Sequence, residues 1–164
     1  MTLYPWVVLA HVVLVVLSLG AHGVSAFAMF RVKSETDRTR IAALLDLSNA
    51  SLLSAGIGIL LAVLTGIIAS IMGDHFSRFW PWASIIVVVV IIGLMTPLAG
   101  TPMTGVRKAL GQRVRDDKKD APPREPASDA DLAAARARLQ PELVAGLGVA
   151  AIVILVWLME MKPF

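Results

Sequence analysis

Four long apolar segments constrain the fold of this chain more than any other feature. A helix crosses a bilayer with roughly 20 mostly apolar residues, and residues 6–30, 48–73, 82–101 and 141–161 each meet that length. Hydrophobic residues make up 57% of the 164 residues, more than one soluble core of this size can bury. Isolated strands would leave backbone groups unpaired in hydrocarbon. The sequence therefore predicts an all-α integral membrane protein, a single four-helix transmembrane bundle over residues 1–164.

The placement of basic residues predicts the orientation of these spans. Of the 15 Lys and Arg residues, all but Arg78 and Lys162 lie in the connections 31–47 and 102–140. Because short basic loops stay on the cytoplasmic side, we expect both termini and the loop 74–81 on the outer side of a bacterial cytoplasmic (inner) membrane. All four tryptophans agree, since they fall at outer span ends where aromatic side chains anchor: Trp6, Trp80, Trp82 and Trp157.

The two cytoplasmic connections predict amphipathic helical extensions of the spans. Ser34 and Asp37 resemble a capping box, and apolar residues follow at helical spacing into the second span. In the charged connection 102–140, a basic helix after the third span is expected to lie on anionic lipid headgroups through Arg107, Lys108, Arg113 and Arg115. Residues 116–127 read as a mobile, proline-containing linker. Ser128 then caps an alanine-rich helix.

Small residues recur every four positions along the second span. In lipid, helices associate by close backbone approach, so small residues mark their interfaces. We interpret this ridge as packing against the first or fourth span, with a homodimer or a partner subunit as the alternative. In the third span, Pro97 removes a backbone hydrogen bond and predicts a kink. The ridge consists of Ala50, Ser54, Gly58, Ala62, Gly66 and Ser70.

Three histidines are the candidate cofactor ligands. His11 and His22 share one stripe of the first span, about 16 Å apart along the helix, and His75 lies in the outer loop. His11 with His75 could hold one b-type haem within a single chain. His11 and His22 cannot share one metal ion but could each ligate a separate centre, and two bis-histidine haems would require a second copy or a partner. The other interpretation of His22 is structural, because Gly20 and Gly23 would let a neighbouring helix approach and hydrogen-bond its ring.

A copper(I) site at the outer face is a further alternative. Thioethers and imidazole are ligands that suit copper(I), and we name Met72, His75, Met159 and Met161 as candidates. The chain has no cysteine, which excludes disulfides, thiolate metal sites and cysteine nucleophiles. The alternative interpretation is that these methionines only pack as apolar side chains of the helices.

Charged side chains are missing from the centres of the four spans. This argues against a proton-coupled transporter, a charge-ringed channel or a voltage sensor. The sequence also lacks the HExxH, partnered GxSxG and phosphate-loop motifs. An enzyme of this sequence would therefore depend on a bound cofactor.

The stretch LAHVVLVVLSLGAHGVSAFAMFR, followed by LLDLSNASLL, resembles a bacterial family of predicted integral membrane proteins of unknown function. That family is distantly similar to the copper-resistance D-type four-helix proteins. The resemblance covers residues 4–115 and implies a four-helix fold in the inner membrane. The spacing of Trp6 and His11 also resembles that of HemJ-type protoporphyrinogen oxidases, in which a histidine five residues after a tryptophan binds haem, and this resemblance implies a ligand role for His11 alone. That family's later lysine is missing from every span, and its proline does not precede Arg31.

These patterns favour a non-enzymatic accessory or assembly subunit. Its partners would be the lipid bilayer and a membrane protein or second copy of the chain, with no role for nucleic acid. A haem-binding redox protein using His11 is the alternative, and copper handling comes after it.

Overall fold

Helices account for nearly all of the regular structure. The computed structural model describes residues 2–118 and 122–163. Its helices are α1 (Tyr4–Ser34), α2 (Arg38–Met72), α3 (Trp80–Met95), α4 (Thr101–Ala109), α5 (Asp129–Ala137) and α6 (Pro141–Met161). Four helical stretches are long and apolar enough to cross a membrane: Tyr4–Ser34, Arg38–Met72, Trp80–Ala109 and Asp129–Met161. The chain is thus an all-α, multi-pass membrane protein, as its apolar segments predict.

The first two spans form a long antiparallel hairpin with a short turn. α1 begins with Pro5 in its first turn and ends where Glu35 becomes extended, at ψ 145°. Asp37 caps α2 by accepting a hydrogen bond from the backbone N–H of Arg40 at 2.9 Å. The expected amphipathic extension and the second span are therefore one continuous helix of 35 residues.

Small and polar side chains every seven residues hold this hairpin together. On α1, Ser18, Ser25 and Val32 are buried, and Tyr4 and His11 lie at earlier steps of the same repeat. A seven-residue repeat keeps one face turned towards a partner helix in a left-handed crossing. The matching buried positions of α2 are Ile41, Ser48, Ala55 and Ala62. We call these nine residues the α1–α2 seam.

A π-helical turn interrupts the third span. Thr96–Gly100 joins α3 to α4 without a break in the helix. Pro97 has no N–H to donate to Gly93, and the wider turn accommodates this loss where the sequence predicts a kink. The basic helix expected to run through Arg115 stops earlier, because α4 ends at Ala109 and Gly111 takes a positive φ of 78°.

The spans pack as two antiparallel pairs. α1 packs mainly on α2 and α3 on α6, and contacts of α1 with α6 join the pairs. Two names describe the ends of this arrangement. The terminal end holds the first residues of α1 and the last of α6, and the basic end holds α4, α5 and the α1–α2 turn.

The most tightly packed core lies at the basic end. There α4 and α5 cover the ends of α1, α2 and α6. Ser128 caps α5, as predicted, by accepting from the Asp131 N–H. Of the linker expected to be mobile, residues 119–121 lie outside the described part of the chain. Nearby, Arg124 bonds Asp117 at 2.9 Å and the Ala127 N–H donates to Ala109 O at 2.9 Å. The core consists of Met29, Val32, Ile41, Leu45, Val106, Leu132, Leu139 and Val144.

Candidate functional site

His11 is fixed inside the hairpin by a backbone hydrogen bond. Its Nδ1 lies 2.8 Å from Ala62 O. A carbonyl oxygen only accepts, so Nδ1 carries the proton and Nε2 keeps its lone pair when the ring is neutral. Gly66 makes room for the ring, since a Cβ at that position would lie 2.9 Å from His11 Cε1. The seam therefore fixes both the tautomer and the orientation of this imidazole.

His22 lacks the hydrogen bond that the sequence predicts for it. Across residues 2–118 and 122–163, no polar atom pairs with its ring. The neighbouring glycines are open as well, because a Cβ at Gly20 or Gly23 would have nothing within 4 Å. No helix among the described residues uses the close approach that these glycines allow. His11, and not His22, makes the interhelical histidine hydrogen bond.

Three further hydroxyl groups belong to the seam: that of Ser18 lies between the two histidine levels, and those of Ser25 and Ser48 lie beyond the level of His22. Ser25 Oγ and Ser48 Oγ lie 2.7 Å apart and are both buried. Ser18 Oγ donates to Leu14 O at 2.6 Å and packs against Gly58. Sequence reasoning from the period-four ridge misses these serines. The sequence could reveal them if the polar residues that recur every seven positions on α1 are aligned with the small residues that recur every seven positions on α2.

The third histidine belongs to an aromatic cluster at the terminal end. His75 Nε2 lies 3.2 Å from Tyr4 Oη, and its ring centroid is 5.5 Å from that of Trp80. Lys162 Nζ lies 5.8 Å from the centre of the same indole, a cation–π contact. The cluster borders an open pocket of about 480 Å³ lined by Gly73, Asp74, His75, Ser77, Arg78 and Lys162.

The structure does not bring the three histidines to one centre. His11 bonds Ala62, and His75 bonds Tyr4. Tyr4 and His11 are seven residues apart on α1, about 10 Å along its axis, while a histidine nitrogen binds a metal at about 2 Å. Within the described ranges, no three His, Asp or Glu side chains are grouped to hold a metal ion. Of the copper candidates, Met72, Met159 and Met161 are exposed.

The predicted period-four ridge of α2 divides between two environments. Ala62 and Ser70 are buried, and Gly58 and Gly66 contact Ser18 and His11 of α1. Ala50 and Ser54 are exposed. A four-residue step advances 40° around the helix, so the ridge drifts off the α1 face that a seven-residue step follows.

Among the four basic side chains expected at lipid headgroups, Arg107 has protein partners. It donates to Asp46 Oδ1 at 2.9 Å, to Gln112 Oε1 at 3.0 Å and to Leu45 O. These bonds tie α4 to α2. Lys108, Arg113 and Arg115 are exposed.

The turn between α1 and α2 is held by the carboxylate of Glu35. Its Oε1 accepts from the backbone N–H groups of Asp37 at 3.2 Å and Thr36 at 2.9 Å. These two bonds, with a smaller contribution from the charge of Arg40, lower the pKa of Glu35 below its ordinary value. Arg136 of α5 donates to the backbone oxygen of the same residue. The turn thus connects α1, α2 and α5.

Open glycines occur in all four spans. A Cβ built at any of eight glycines would meet no atom within 4 Å, apart from the local helix backbone. Exposed glycine at membrane depth offers backbone-to-backbone contact to another helix. The eight are Gly20, Gly23, Gly56, Gly93, Gly100, Gly105, Gly146 and Gly148.

Comparison with known proteins adds no family to this description. The chain matches no family model, no curated protein and no solved structure.

Proposed function

We propose that this protein is a non-enzymatic accessory or assembly subunit of a bacterial inner membrane, with both termini on the outer side. The observation that carries the proposal is His22, an intramembrane imidazole without a hydrogen-bond partner within residues 2–118 and 122–163, between two glycines with open space above them. A second membrane helix docked beside His22 would supply the missing polar partner, and the two glycines, about 100° and 160° further around α1, open the adjoining face to close approach.

The energetic argument rests on the surrounding solvent. Lipid offers no hydrogen bond to an imidazole, and interhelical polar bonds in membranes contribute about 0.6 kcal/mol on average. Glycine adds a close backbone approach, which strengthens dispersion contacts along the docked helix. His22 supplies the polar group, and Gly20 and Gly23 supply the close approach on the adjoining face of the same helix.

The proposed orientation rests on charge. The basic end holds Arg31, Lys33, Arg38 and Arg40 beside the α1–α2 turn and the eight described basic residues of 102–140. Cytoplasmic placement of that end satisfies the positive-inside rule. A cysteine introduced at Ser77 is expected to react with a membrane-impermeant maleimide in whole cells, whereas one at Ser128 is not.

The assembly test separates an external interface from internal packing. Replacing Gly20 and Gly23 with leucine should reduce the mass of complexes extracted from host membranes in native nanodiscs, with unchanged unfolding of the purified chain. Gly58→Leu is the matched control. Its side chain would collide with Ser18, so it should unfold the hairpin itself.

Two results would count against the subunit proposal. One is a wild-type particle that contains a single chain under every mild extraction. The other is an unchanged complex in both the glycine double variant and His22→Leu.

A haem-binding redox protein is the second candidate, and the bond of His11 favours it. Metal-ligating histidines usually donate their second ring N–H to a backbone carbonyl or carboxylate, and His11 Nδ1 does so to Ala62 O. Among the described residues, His11 is the only histidine whose ring N–H is donated to a backbone carbonyl in this way. A Soret band that His11→Ala removes and His75→Ala keeps would support this function. A flat oxidised and reduced spectrum would end it.

A further inference from the structure

We propose that the basic end binds one anionic phospholipid between α1 and α2, with its phosphate at Arg31 and Arg40 and an acyl chain on the α2 surface below them. The site is a shallow pocket of about 350 Å³ lined by Arg31, Glu35, Arg40, Ala43, Leu44 and Leu47. None of the four basic positions that the sequence assigns to headgroups lines this pocket.

The rim of the pocket carries an excess of positive charge. The Arg31 guanidinium has no hydrogen bond or ion pair with the described part of the chain. Arg40 approaches Glu35 Oε2 only at 3.9 Å, and its side chain is 74% exposed. The other oxygen of Glu35 is already bonded to the Thr36 and Asp37 amides. Two guanidinium groups from different helices therefore face a single carboxylate. A phosphate diester would balance the remaining positive charge and accept hydrogen bonds from the guanidinium groups.

The other basic residues of this turn are engaged elsewhere. Arg38 bonds Asp129 Oδ1 at 2.6 Å and Ala127 O at 2.7 Å, while Lys33 pairs with Glu142 at 3.1 Å. Those pairs close the side of the hairpin that α5 and α6 cover. Arg31 and Arg40 are left on the open side.

The floor of the pocket is apolar and continues along a membrane span. Leu47 is 50% exposed, and Ala43 beside it is also exposed. Ala50 and Ser54, one and two turns further along α2, are exposed and small. From Arg40 to Ser54 the helix rises about 21 Å, which matches the course of an acyl chain entering the hydrocarbon from a headgroup at the interface.

This combination selects a lipid over a free anion. A free phosphate would use the arginines alone and gain nothing from Leu44 and Leu47. A phospholipid uses both parts, since apolar contact and charge act on one molecule. Basic pockets between transmembrane helices are typical headgroup sites.

The experiment measures binding of dioleoylphosphatidylglycerol and dioleoylphosphatidylcholine to the full chain in detergent, by native mass spectrometry. The test variant is Arg31→Gln/Arg40→Gln. Lys118→Gln/Arg138→Gln is the matched control, because it removes the same charge from exposed side chains at the same end. Helicity and unfolding midpoint verify that each variant is folded. Leu47→Asn tests the floor without changing charge.

The expected result is a loss of roughly thirtyfold in phosphatidylglycerol affinity for the arginine pair, from two surface cations. The control pair should change it by less than about threefold, and Leu47→Asn should weaken binding of both lipids. Equal losses in the two double variants would overturn the proposal in favour of diffuse charge attraction. Displacement of the bound lipid by millimolar inorganic phosphate would overturn the proposal in favour of a free-anion site. Unchanged lipid binding in Leu47→Asn would show that the α2 surface does not hold an acyl chain, which would also overturn the proposal.

Discussion

Replacement of Gly58 by alanine tests the α1–α2 seam most directly. A Cβ at Gly58 would overlap Ser18 Oγ and lie 3.3 Å from Ser18 Cβ. Ser18 is 2% exposed, so its hydroxyl can move only by giving up the 2.6 Å bond to Leu14 O. Gly56 is the matched control, because a Cβ there would meet nothing within 4 Å. Comparing the two alanine variants cancels the gain in helix propensity.

The magnitude follows from those contacts. Loss of the Ser18 hydrogen bond costs about 1 kcal/mol, and overpacking against a Cβ that cannot retreat costs about 1–3 kcal/mol. We expect Gly58→Ala to be less stable than Gly56→Ala by about 2–4 kcal/mol. Ser18→Ala added to Gly58→Ala should recover the part due to the hydroxyl, about 1–2 kcal/mol.

The assay is unfolding of the detergent-solubilised chain by SDS, followed by circular dichroism. Equal midpoints for the two alanine variants would refute the close approach of α1 and α2 at this level. A double variant whose loss is the sum of the single losses would show that Ser18 and Gly58 do not touch.

Three further predictions concern other parts of the hairpin and its cap. The Ser25–Ser48 bond should appear in a double-mutant cycle with alanine as a coupling of about 0.6–1.7 kcal/mol in SDS unfolding, and a coupling of zero would exclude it. Leu139→Ala removes a fully buried side chain of the basic-end core and should cost about 2–5 kcal/mol of unfolding free energy; a loss under 1 kcal/mol would mean that the core is loose. Because the folded pKa of Glu35 is below its ordinary value of 4.5, its contribution to stability is full above pH 4.5 and is lost as the pH falls through the lowered pKa. Hydrogen exchange of the Thr36 and Asp37 amides should therefore rise with acidification, after correction for intrinsic rates, and Glu35→Gln should flatten that rise.

The four spans could be predicted from sequence because apolar length alone decides them, and their ends differ from the structure for local reasons. α2 begins ten residues before the expected span, at Arg38, since the Asp37 cap starts one helix that runs through the interface. α1 continues to Ser34. The third span continues past Thr101 to Ala109, because the π turn accommodates the backbone hydrogen bond that Pro97 cannot donate.

The candidate site was less accessible to sequence reasoning. A single helix cannot reveal which of several small-residue stripes faces a neighbour, so the period-four ridge of α2 is as regular in the sequence as the seam. The register of two helices decides between them, and that register is visible only when α1 and α2 are read together. The same lack of register assigned the interhelical hydrogen bond to His22, whereas His11 makes it. Arg107 shows another limit, since its partners Asp46 and Leu45 are about 60 residues away in the chain.

The π turn at Thr96–Gly100 determines where the third span can change its residue count. Counted at 100° per residue, Val106 would follow Pro81 on nearly the same side of an uninterrupted α-helix. The π turn accommodates about one extra residue, so the helix phase beyond it is set back by roughly 100°. Pro81 and Val106, both buried, therefore face different neighbours. Deleting one residue from 96–100 should convert the turn to a regular α-helical turn and leave Val106 facing the core, whereas deleting one residue elsewhere in the span would rotate Val106 by about 100°. In this segment, residue number should be more tolerant of change than in the rest of the span.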